Sequence, residues 1–165
     1  MDGMKMKIRH AGTEDVAALL ELYEEARSFM RAHGNQEQWS GGYPQEELLR
    51  RDIAQGCSYI CENEDGIAAA FYFREGEDPT YRQIEGQWLN DETYSVIHRI
   101  TSRARGAATF CVQWCAARAQ NLGIDTHRDN YVMQNFLKKN GFTYCGIIHL
   151  ENGAERMAYQ KKCNG

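Results

Sequence analysis

Apolar residues recur every three or four positions in four segments of the chain, which predicts four amphipathic helices. The clearest pattern lies in "GTEDVAALLELYEEARSFM", with Thr13 as the predicted N-cap and Glu14 and Asp15 in the first turn. Its apolar face comprises Val16, Leu19, Leu20, Tyr23, Ala26 and Met30. The other predicted helices cover residues 44–54, residues 107–120, and "DNYVMQNFLKKNG", which Gly141 terminates.

Short apolar runs bounded by turn-forming residues predict seven strands. These cover residues 5–10, 57–61, 67–73, 94–101, 122–126, 142–149 and 155–160. Turns at 63–66 and 152–153 join two pairs of them into hairpins. The polar segment 76–92 contains Pro79, which predicts a long loop or a loop with one edge strand. We expect a single α/β domain spanning residues 1–165.

The composition is typical of a soluble globular protein. Apolar residues make up 42%, aromatic residues 11% and charged residues 25%, which excludes a disordered or fibrous chain. The net charge of −4 disfavours nonspecific binding to nucleic acid or to an anionic membrane. No apolar run approaches the roughly 18 residues of a spanning helix, and segment 1–7 is polar. We therefore expect a cytoplasmic protein that binds neither membrane nor nucleic acid.

The six cysteines include no Cys-x-x-Cys pair, and in the absence of a secretory signal we expect reduced thiols. Cys111 and Cys115 lie four residues apart on a predicted helix, a spacing that one metal ion would accept. Free cysteine is more often a small core residue. We therefore predict no metal at this pair.

A basic turn separates the predicted strand 94–101 from the helix that follows it. In "RARGAATF", Gly106, Ala107 and Ala108 allow close approach to the helix N-terminus, and Arg103 and Arg105 lie beside it. Free N–H groups at a helix N-terminus suit a phosphate or pyrophosphate. An exposed turn with solvated arginines is the alternative from these residues alone.

Two motifs resemble the GNAT superfamily of N-acetyltransferases. The spacing Arg103-x-x-Gly106-x-Ala108 is similar to the family signature Gln/Arg-x-x-Gly-x-Gly/Ala, whose loop binds the pyrophosphate of acetyl-coenzyme A. The segment "IDTHRDNYVMQNFLKKNGF" resembles the family's fifth strand and fourth helix, with Asn130 near the helix start and a Lys-x-Gly-Phe ending. The order of elements also fits, so the resemblance covers nearly the whole chain.

The resemblance implies the acyl-CoA N-acyltransferase fold of the α/β (α+β) class. Its sheet is mixed, twisted and mostly antiparallel, with a central pair of parallel strands that splay apart and helices flanking the sheet. The splayed strands would be 94–101 and 122–126 in this chain. The pantetheine arm of the cofactor would lie between them.

The resemblance also implies a function and a set of cofactor-binding residues. The reaction would transfer an acetyl group from acetyl-CoA to a primary amine of a small molecule, an amino acid derivative or a peptide, by direct attack in a ternary complex. The implied cofactor-binding residues are Ile100, Thr101, Arg103, Ala104, Arg105, Gly106, Ala107, Ala108, Thr109 and Asn130. An acyl-CoA-binding module with little or no catalytic activity is the alternative.

The chain departs from the family at the residue that protonates the leaving thiolate. Many members carry a tyrosine four residues before the glycine of the Gly-Phe ending, whereas this chain has Leu137. Tyr94 and Tyr131 are candidate substitutes. Otherwise the thiolate leaves without assistance.

We predict His98 as the general base, because imidazole changes protonation near neutral pH and its strand lies beside the expected thioester. Glu92 and Asp91, just upstream, are competing bases that would act directly or through water. A hydrogen-bonded core histidine is the alternative interpretation of His98.

The loop "NQEQWSGGYP" carries the predicted acceptor-binding residues Glu37, Trp39 and Tyr43, because polar loops with aromatic residues often bind ligands. Trp39 could instead cap the core. The oligomeric state stays open, a homodimer included.

Asp125, His127 and Asp129 alternate, so an extended chain would place all three on one face, where a metal could bind. The resemblance instead implies a strand end and a helix entry here, with Arg128 beside the cofactor residue Asn130. We predict no metal.

Overall fold

The computed structural model describes residues 5–163. Its helices are α1 (Val16–Ala32), α2 (Glu46–Ala54), α3 (Ala107–Ala116) and α4 (Tyr131–Lys139), and 3₁₀ turns lie at Thr13–Asp15, Ser40–Gly42 and Pro79–Tyr81. Its strands are β1 (Lys7–His10), β2 (Ser58–Asn63), β3 (Gly66–Glu75), β4 (Glu85–Gly86), β5 (Ser95–Ser102), β6 (Asn121–Thr126), β7 (Thr143–His149) and β8 (Glu155–Lys162). No helix within residues 5–163 combines the length and the apolar character that crossing a membrane requires.

The strands form one sheet in the order β1-β2-β3-β5-β6-β8-β7-β4. β5 and β6 pair in parallel, and the other neighbouring pairs are antiparallel. α3 connects the two parallel strands, as a parallel crossover requires. The expected fold class, a mostly antiparallel α/β sheet with one central parallel pair and flanking helices, is confirmed.

Helices cover both faces of the sheet. α1 and α2 pack on one face, where Leu19 and Leu49 meet Ile60 of β2 and Ala70 of β3. The core beneath α3 and α4 comprises, among others, Cys61, Phe71, Ile97, Cys111, Cys115, Leu122 and Leu137. A third cluster comprises Tyr81, Val96, Ile148 and Ala158. Ile97 belongs to the core beneath α3 and α4, and successive strand residues face opposite sides of a sheet. Its neighbour Val96 therefore faces the α1–α2 side, and the third cluster lies on that face, farther along the sheet.

The start of α1 differs from the sequence prediction. Thr13 is not an N-cap, because it lies inside the first 3₁₀ turn after Gly12. The carboxylate of Asp15 accepts the N–H of Gly12 at 2.8 Å. The side chain that satisfies the free N–H is therefore Asp15, two residues later than predicted.

Two further elements are shorter or more complex than predicted. α3 ends at Ala116 instead of continuing to residue 120, because Arg118 stacks on the ring of Trp114 and donates to its carbonyl oxygen at 2.9 Å. The polar segment 76–92 contains the expected edge strand, β4, which pairs with β7. It also contains the 3₁₀ turn at 79–81, which the sequence did not predict.

The parallel strands separate soon after they pair. Their register pairs are Ser95 with Leu122 and Val96 with Gly123. Beyond these pairs β5 continues for six residues and β6 for three without pairing to each other. The backbone edge of β5 that faces β6 is therefore available to a ligand.

A bulge in β5 increases the divergence. Ala70 of β3 pairs with Thr101 and Tyr72 pairs with His98, so one residue of β3 faces two residues of β5. The bulged residue Arg99 has a φ of 54°. Its carbonyl oxygen accepts the hydroxyl of Tyr23 at 2.8 Å, so α1 holds the bulge in place.

Candidate active site

Two cavities occupy the space where β5 and β6 diverge. The smaller has a volume of about 430 Å³ and the larger about 630 Å³. Four residues line both cavities: Met30, Ile100, Asn130 and Met133. The two cavities therefore meet beside the second half of β5 and form one cleft.

The larger cavity lies at the start of α3. It is lined by nine of the ten predicted cofactor-binding residues: Ile100, Thr101, Arg103, Ala104, Arg105, Gly106, Ala108, Thr109 and Asn130. Ala107 is the exception, because its side chain is fully buried and its N–H donates to the carbonyl oxygen of Ala104 at 3.2 Å. Apolar side chains of Phe29, Val132 and Phe136 also line this cavity.

Backbone donors lie at the α3 end of the larger cavity. Gly106 precedes α3 with a φ of 82°, a conformation that favours glycine. The N–H of Phe110 makes the first helical bond, to the carbonyl oxygen of Gly106 at 3.0 Å. Ala108 and Thr109 lie before Phe110 in the first turn of the helix. Their N–H groups therefore have no carbonyl acceptor within the helix. These donors and the positive end of the helix dipole favour an anion at this end of the cavity.

The two arginines of the turn differ in their partners. Arg103 makes a two-pronged ion pair with Glu25 of α1, with contacts of 2.9 and 3.2 Å. Arg105 is exposed and makes no ion pair within residues 5–163. Arg103 thus ties the turn to α1, whereas Arg105 offers its charge to a ligand.

A histidine and an aspartate form a hydrogen-bonded pair in the smaller cavity. Nε2 of His98 lies 2.8 Å from Oδ2 of Asp78. The other oxygen of Asp78 accepts the N–H and the hydroxyl of Thr80 at 2.9 and 2.7 Å. Burial raises the pKa of Asp78, but the hydrogen bonds from His98 and Thr80 outweigh it and lower that pKa to about 2.

The ionisation of Asp78 decides the tautomer of His98. A carboxylate can only accept, so Nε2 of His98 carries the proton and donates it to Asp78. In the neutral ring, Nδ1 then keeps its lone pair and can accept a proton.

A second carboxylate lies near that nitrogen. Oδ2 of Asp125 is 4.0 Å from Nδ1 of His98 and accepts the hydroxyl of Tyr81 at 2.8 Å. Burial raises the pKa of Tyr81, and Asp125 adds to the rise, so the hydroxyl stays a donor. Asp78 and Asp125 therefore make the surroundings of His98 negative, which suits a cationic amine.

The other predicted catalytic residues lie elsewhere. Glu92 and Asp91 are exposed in the loop before β5, at the end where β5 is still paired with β6. Glu92 therefore does not reach either cavity. The hydroxyl of Tyr94 accepts the N–H of Asp78 at 3.0 Å, so Tyr94 supports Asp78 and does not line the cleft. Tyr131 is 66% exposed at the start of α4 and lines neither cavity.

Leu137 belongs to the core. Its side chain is fully buried beneath α4 and lines neither cavity. The position at which many family members carry their acid therefore offers no donor to the cleft.

The predicted acceptor-binding residues all line the smaller cavity: Glu37, Trp39 and Tyr43. Trp39 also packs edge-on against Tyr23, with ring centroids 5.5 Å apart, so it both lines the cavity and caps the core. Arg99 donates to the hydroxyl of Tyr43 at 2.9 Å and to Asp52 at 2.6 Å. Trp39 and Arg99, with φ of 61° and 54°, are the non-glycine residues of positive φ within 5–163. Both line this cavity, where such strain often accompanies function.

Sequence reasoning missed Gln38, which joins the loop of residues 35–44 to α4. Its Oε1 accepts the amide N–H of Asn35 at 3.0 Å and that of Asn130 at 3.1 Å. Oδ1 of Asn130 in turn caps α4 through the N–H of Met133 at 3.0 Å. Asn130 therefore positions α4 where the two cavities meet, and its side-chain atoms already have protein partners.

The alternating residues Asp125, His127 and Asp129 do not form one ligand set. Asp125 faces His98, whereas His127 and Asp129 lie with Glu37 in a group whose ligand atoms are within 4.8 Å of one another. Nδ1 of His127 already accepts the N–H of Asp129 at 3.0 Å. Of the three, only Asp125 belongs to the surroundings of His98.

Comparisons with known proteins identify relatives by structure. No family model matches the chain, and no curated protein matches it in sequence. A GNAT-family acetyltransferase from Streptococcus agalactiae is 32% identical, with a TM-score of 0.88, and the match covers 97% of this chain and 96% of that chain.

More distant structures share the fold. A GNAT-family acetyltransferase from Listeria monocytogenes is 19% identical with a TM-score of 0.71, over 97% of this chain and 96% of that one. A chain of the NatC complex, bound to Gag peptide and CoA, is 13% identical with a TM-score of 0.64, over 98% and 100% of the two chains. Because the streptococcal protein is both similar in sequence and matched over nearly its full length, this chain belongs to the GNAT family of acetyltransferases.

Proposed function

We propose that the protein is an N-acetyltransferase that transfers an acetyl group from acetyl-CoA to a primary amine in a ternary complex. The observation that carries this proposal is the junction of the two cavities. One cavity contains anion-binding backbone donors and the other contains the His98–Asp78 pair. A thioester bound at the junction would lie within the same cleft as the base.

The residues of the larger cavity fit coenzyme A. The N–H groups of Ala108 and Thr109 and the guanidinium of Arg105 suit the pyrophosphate. The unpaired edge of β5 from Ile100 to Thr101 suits the amides of pantetheine, which would pair there much as a strand does. When bound, acetyl-CoA supplies a thioester that an amine can attack. The CoA-bound NatC structure, which shares the fold, supports this assignment.

His98 would act as the general base. The ammonium form of the acceptor first releases one proton to solvent, and the neutral amine then attacks. Nδ1 of His98 takes the second proton from that nitrogen as the new bond forms, while Asp78 holds Nε2–H and stabilises the imidazolium that results. The bond that forms joins the acceptor nitrogen to the acetyl carbon, and the bond that breaks joins that carbon to sulfur. Tyr94 and Thr80 contribute by holding Asp78 in position.

We propose that the sulfur leaves as a thiolate without a proton from the protein. Within residues 5–163 no tyrosine lines the larger cavity, and the usual position is the buried Leu137. A thiol with an unperturbed pKa of about 8.5 makes a good leaving group near neutral pH.

Calorimetric titration with acetyl-CoA, followed by an assay of thiol release with a panel of primary amines, tests the proposal. We expect binding and amine-dependent release of free coenzyme A. The absence of binding at millimolar acetyl-CoA would overturn the proposal.

The buried Leu137 also supports a second candidate, an acyl-CoA-binding module. That candidate predicts binding of acetyl-CoA without turnover of any amine in the panel. The His98–Asp78 pair in the adjoining cavity favours the enzyme.

A further inference from the structure

Arg156 of β8 lines the smaller cavity as a partly buried cation, and the described residues 5–163 give it no carboxylate in ion-pair contact. Its Nη1 donates to the carbonyl oxygen of Glu155 at 2.8 Å. No carboxylate oxygen within residues 5–163 lies within 4 Å of its guanidinium. Burial lowers the pKa of Arg156, and nearby carboxylates oppose that effect. An arginine nevertheless stays charged at neutral pH, so this cavity wall holds a positive charge that has no ion-pair partner within residues 5–163.

The two carboxylates that act most strongly on the charge of Arg156, Asp125 and Glu37, make their contacts with other residues. Oδ2 of Asp125 accepts the hydroxyl of Tyr81 and lies near His98. Glu37 is directed toward His127, with Oε2 3.6 Å from Nε2, and its side chain is 75% exposed. Within residues 5–163, neither carboxylate therefore forms an ion pair with Arg156, although both attract its charge from farther away.

The other arginine of the cavity is different. Arg99 is matched by Asp52, with Nη2 2.6 Å from Oδ2, and it also donates to Tyr43. Its positive charge is thus compensated by the protein. Arg156 is the arginine of this cavity that makes no ion pair with any of residues 5–163.

The cavity therefore has a positive site and a negative site. Asp78 and Asp125 surround His98, where an ammonium group would be stabilised before it loses its proton. Arg156 presents a planar set of donors that matches a carboxylate. A volume of about 430 Å³ is at the small end of the range for ligand sites, about 300–1,000 Å³, which favours a compact acceptor.

We propose that the acceptor is an amino acid, a small molecule with both an ammonium group and a free carboxylate, and that Arg156 binds the carboxylate while the amine lies beside His98. This inference rests on the proposed function, and it adds a residue that selects the acceptor. A peptide that presents its free terminal amine would place an uncharged amide in that position. Arg156 would therefore favour a free amino acid over a peptide as the acceptor.

The test compares matched acceptors. The panel contains the common α-amino acids and ω-amino acids of increasing chain length, each together with its carboxamide, which keeps the amine and removes the negative charge. The readouts are the ratio of kcat/KM for acid over amide and, by calorimetry, the ratio of their affinities.

For the wild type we expect at least one acid to exceed its amide by tenfold or more in both ratios. In Arg156→Gln the ratios should fall to about one, and Arg156→Lys should keep part of the preference because it keeps the charge. Arg50→Gln, an exposed arginine outside both cavities, serves as the control and should keep the wild-type ratios.

Ratios near one for every wild-type pair, or a preference that Arg156→Gln leaves unchanged, would overturn the inference. If no amine is acetylated, the proposed function fails, and the affinity ratios then decide the inference on their own. Arg156-dependent binding of an acid over its amide would still support it, and equal binding would overturn it.

Discussion

The two cavities of the cleft are built in opposite ways. The larger takes its polar groups mainly from residues 100–109, which form one continuous strand end, turn and helix start. The smaller takes His98, Asp78, Asp125 and Arg156 from β5, from the segment before β4, from β6 and from β8. A site made from continuous backbone leaves a motif in the sequence, whereas a site assembled from distant side chains does not.

The difference extends to what holds each site together. The larger cavity depends on backbone N–H groups and on the conformation of Gly106. The smaller depends on the side chain of Asp78, which accepts hydrogen bonds from Nε2 of His98 and from the N–H and the hydroxyl of Thr80. Changes at one site should therefore leave the function of the other intact.

The largest expected effect is the loss of turnover in His98→Ala. Removal of a general base lowers kcat by about 100-fold or more, while the affinity for acetyl-CoA should stay close to that of the wild type because His98 does not line the larger cavity. Steady-state kinetics and calorimetry measure the two quantities. His149→Ala, on the exposed end of β7, is the control. Wild-type turnover in His98→Ala would remove this residue from the mechanism.

A smaller effect, a decrease in the free energy of unfolding, is expected for Asp78→Asn. The pKa of Asp78 is lowered from 3.8 to about 2, so its charge stabilises the fold above pH 3.8 and this contribution disappears as pH falls toward 2. The shift corresponds to about 2 kcal/mol. The variant should be less stable than the wild type by that amount at neutral pH, and the two should converge in acid.

Urea unfolding at a series of pH values measures this difference. Asp65→Asn, in the exposed turn between β2 and β3, should show no comparable gap at any pH. A gap for Asp78→Asn that persists unchanged into acid would show that the loss does not come from the ionised carboxylate.

The smallest expected effect is a weaker affinity for acetyl-CoA after a change at the larger cavity. Gly106→Ala places a side chain at a φ of 82°, which costs about 1–2 kcal/mol, and it should shift the backbone donors that we propose bind the pyrophosphate. We expect about a tenfold weaker affinity for acetyl-CoA, equivalent to about 1.4 kcal/mol. Gly56→Ala, at a φ of 73° outside both cavities, carries similar strain without touching the ligand. Equal affinities in the two variants would count against the turn as the pyrophosphate site.

Most of the fold could be predicted from the sequence because its elements carry local signals. The pattern of α1, the two hairpins and the turn before α3 all depend on neighbours within a few residues. Apart from the unpredicted 3₁₀ turn at 79–81, the errors described above lie at the ends of helices. Asp15 displaced Thr13 as the capping group, and Arg118 ended α3 early, in both cases through a side-chain contact that apolar spacing does not encode.

The candidate site was predictable only in part. His98 could be chosen from its chemistry and its strand, and the acceptor loop from its composition. Asp78 could not be paired with His98, although Asp-Pro-Thr is a recognisable cap for a short turn. Glu92 was predicted as a base just upstream of His98, and Tyr94 as a substitute for the tyrosine absent at Leu137. Both precede the start of β5, which is still paired with β6 and lies away from the cleft.

By itself, the sequence determined the order of helices and strands and the form of the turn before α3, because hydrogen bonds between near neighbours and the conformational freedom of one glycine decide both. Only the tertiary structure decided where β5 and β6 separate, which carboxylate holds His98, and that Arg156 lines the same cavity as His98. These depend on the register of distant strands and on the packing of the 79–81 turn against β5, β6 and β8. Contacts of this kind form only when segments far apart in the chain are brought together.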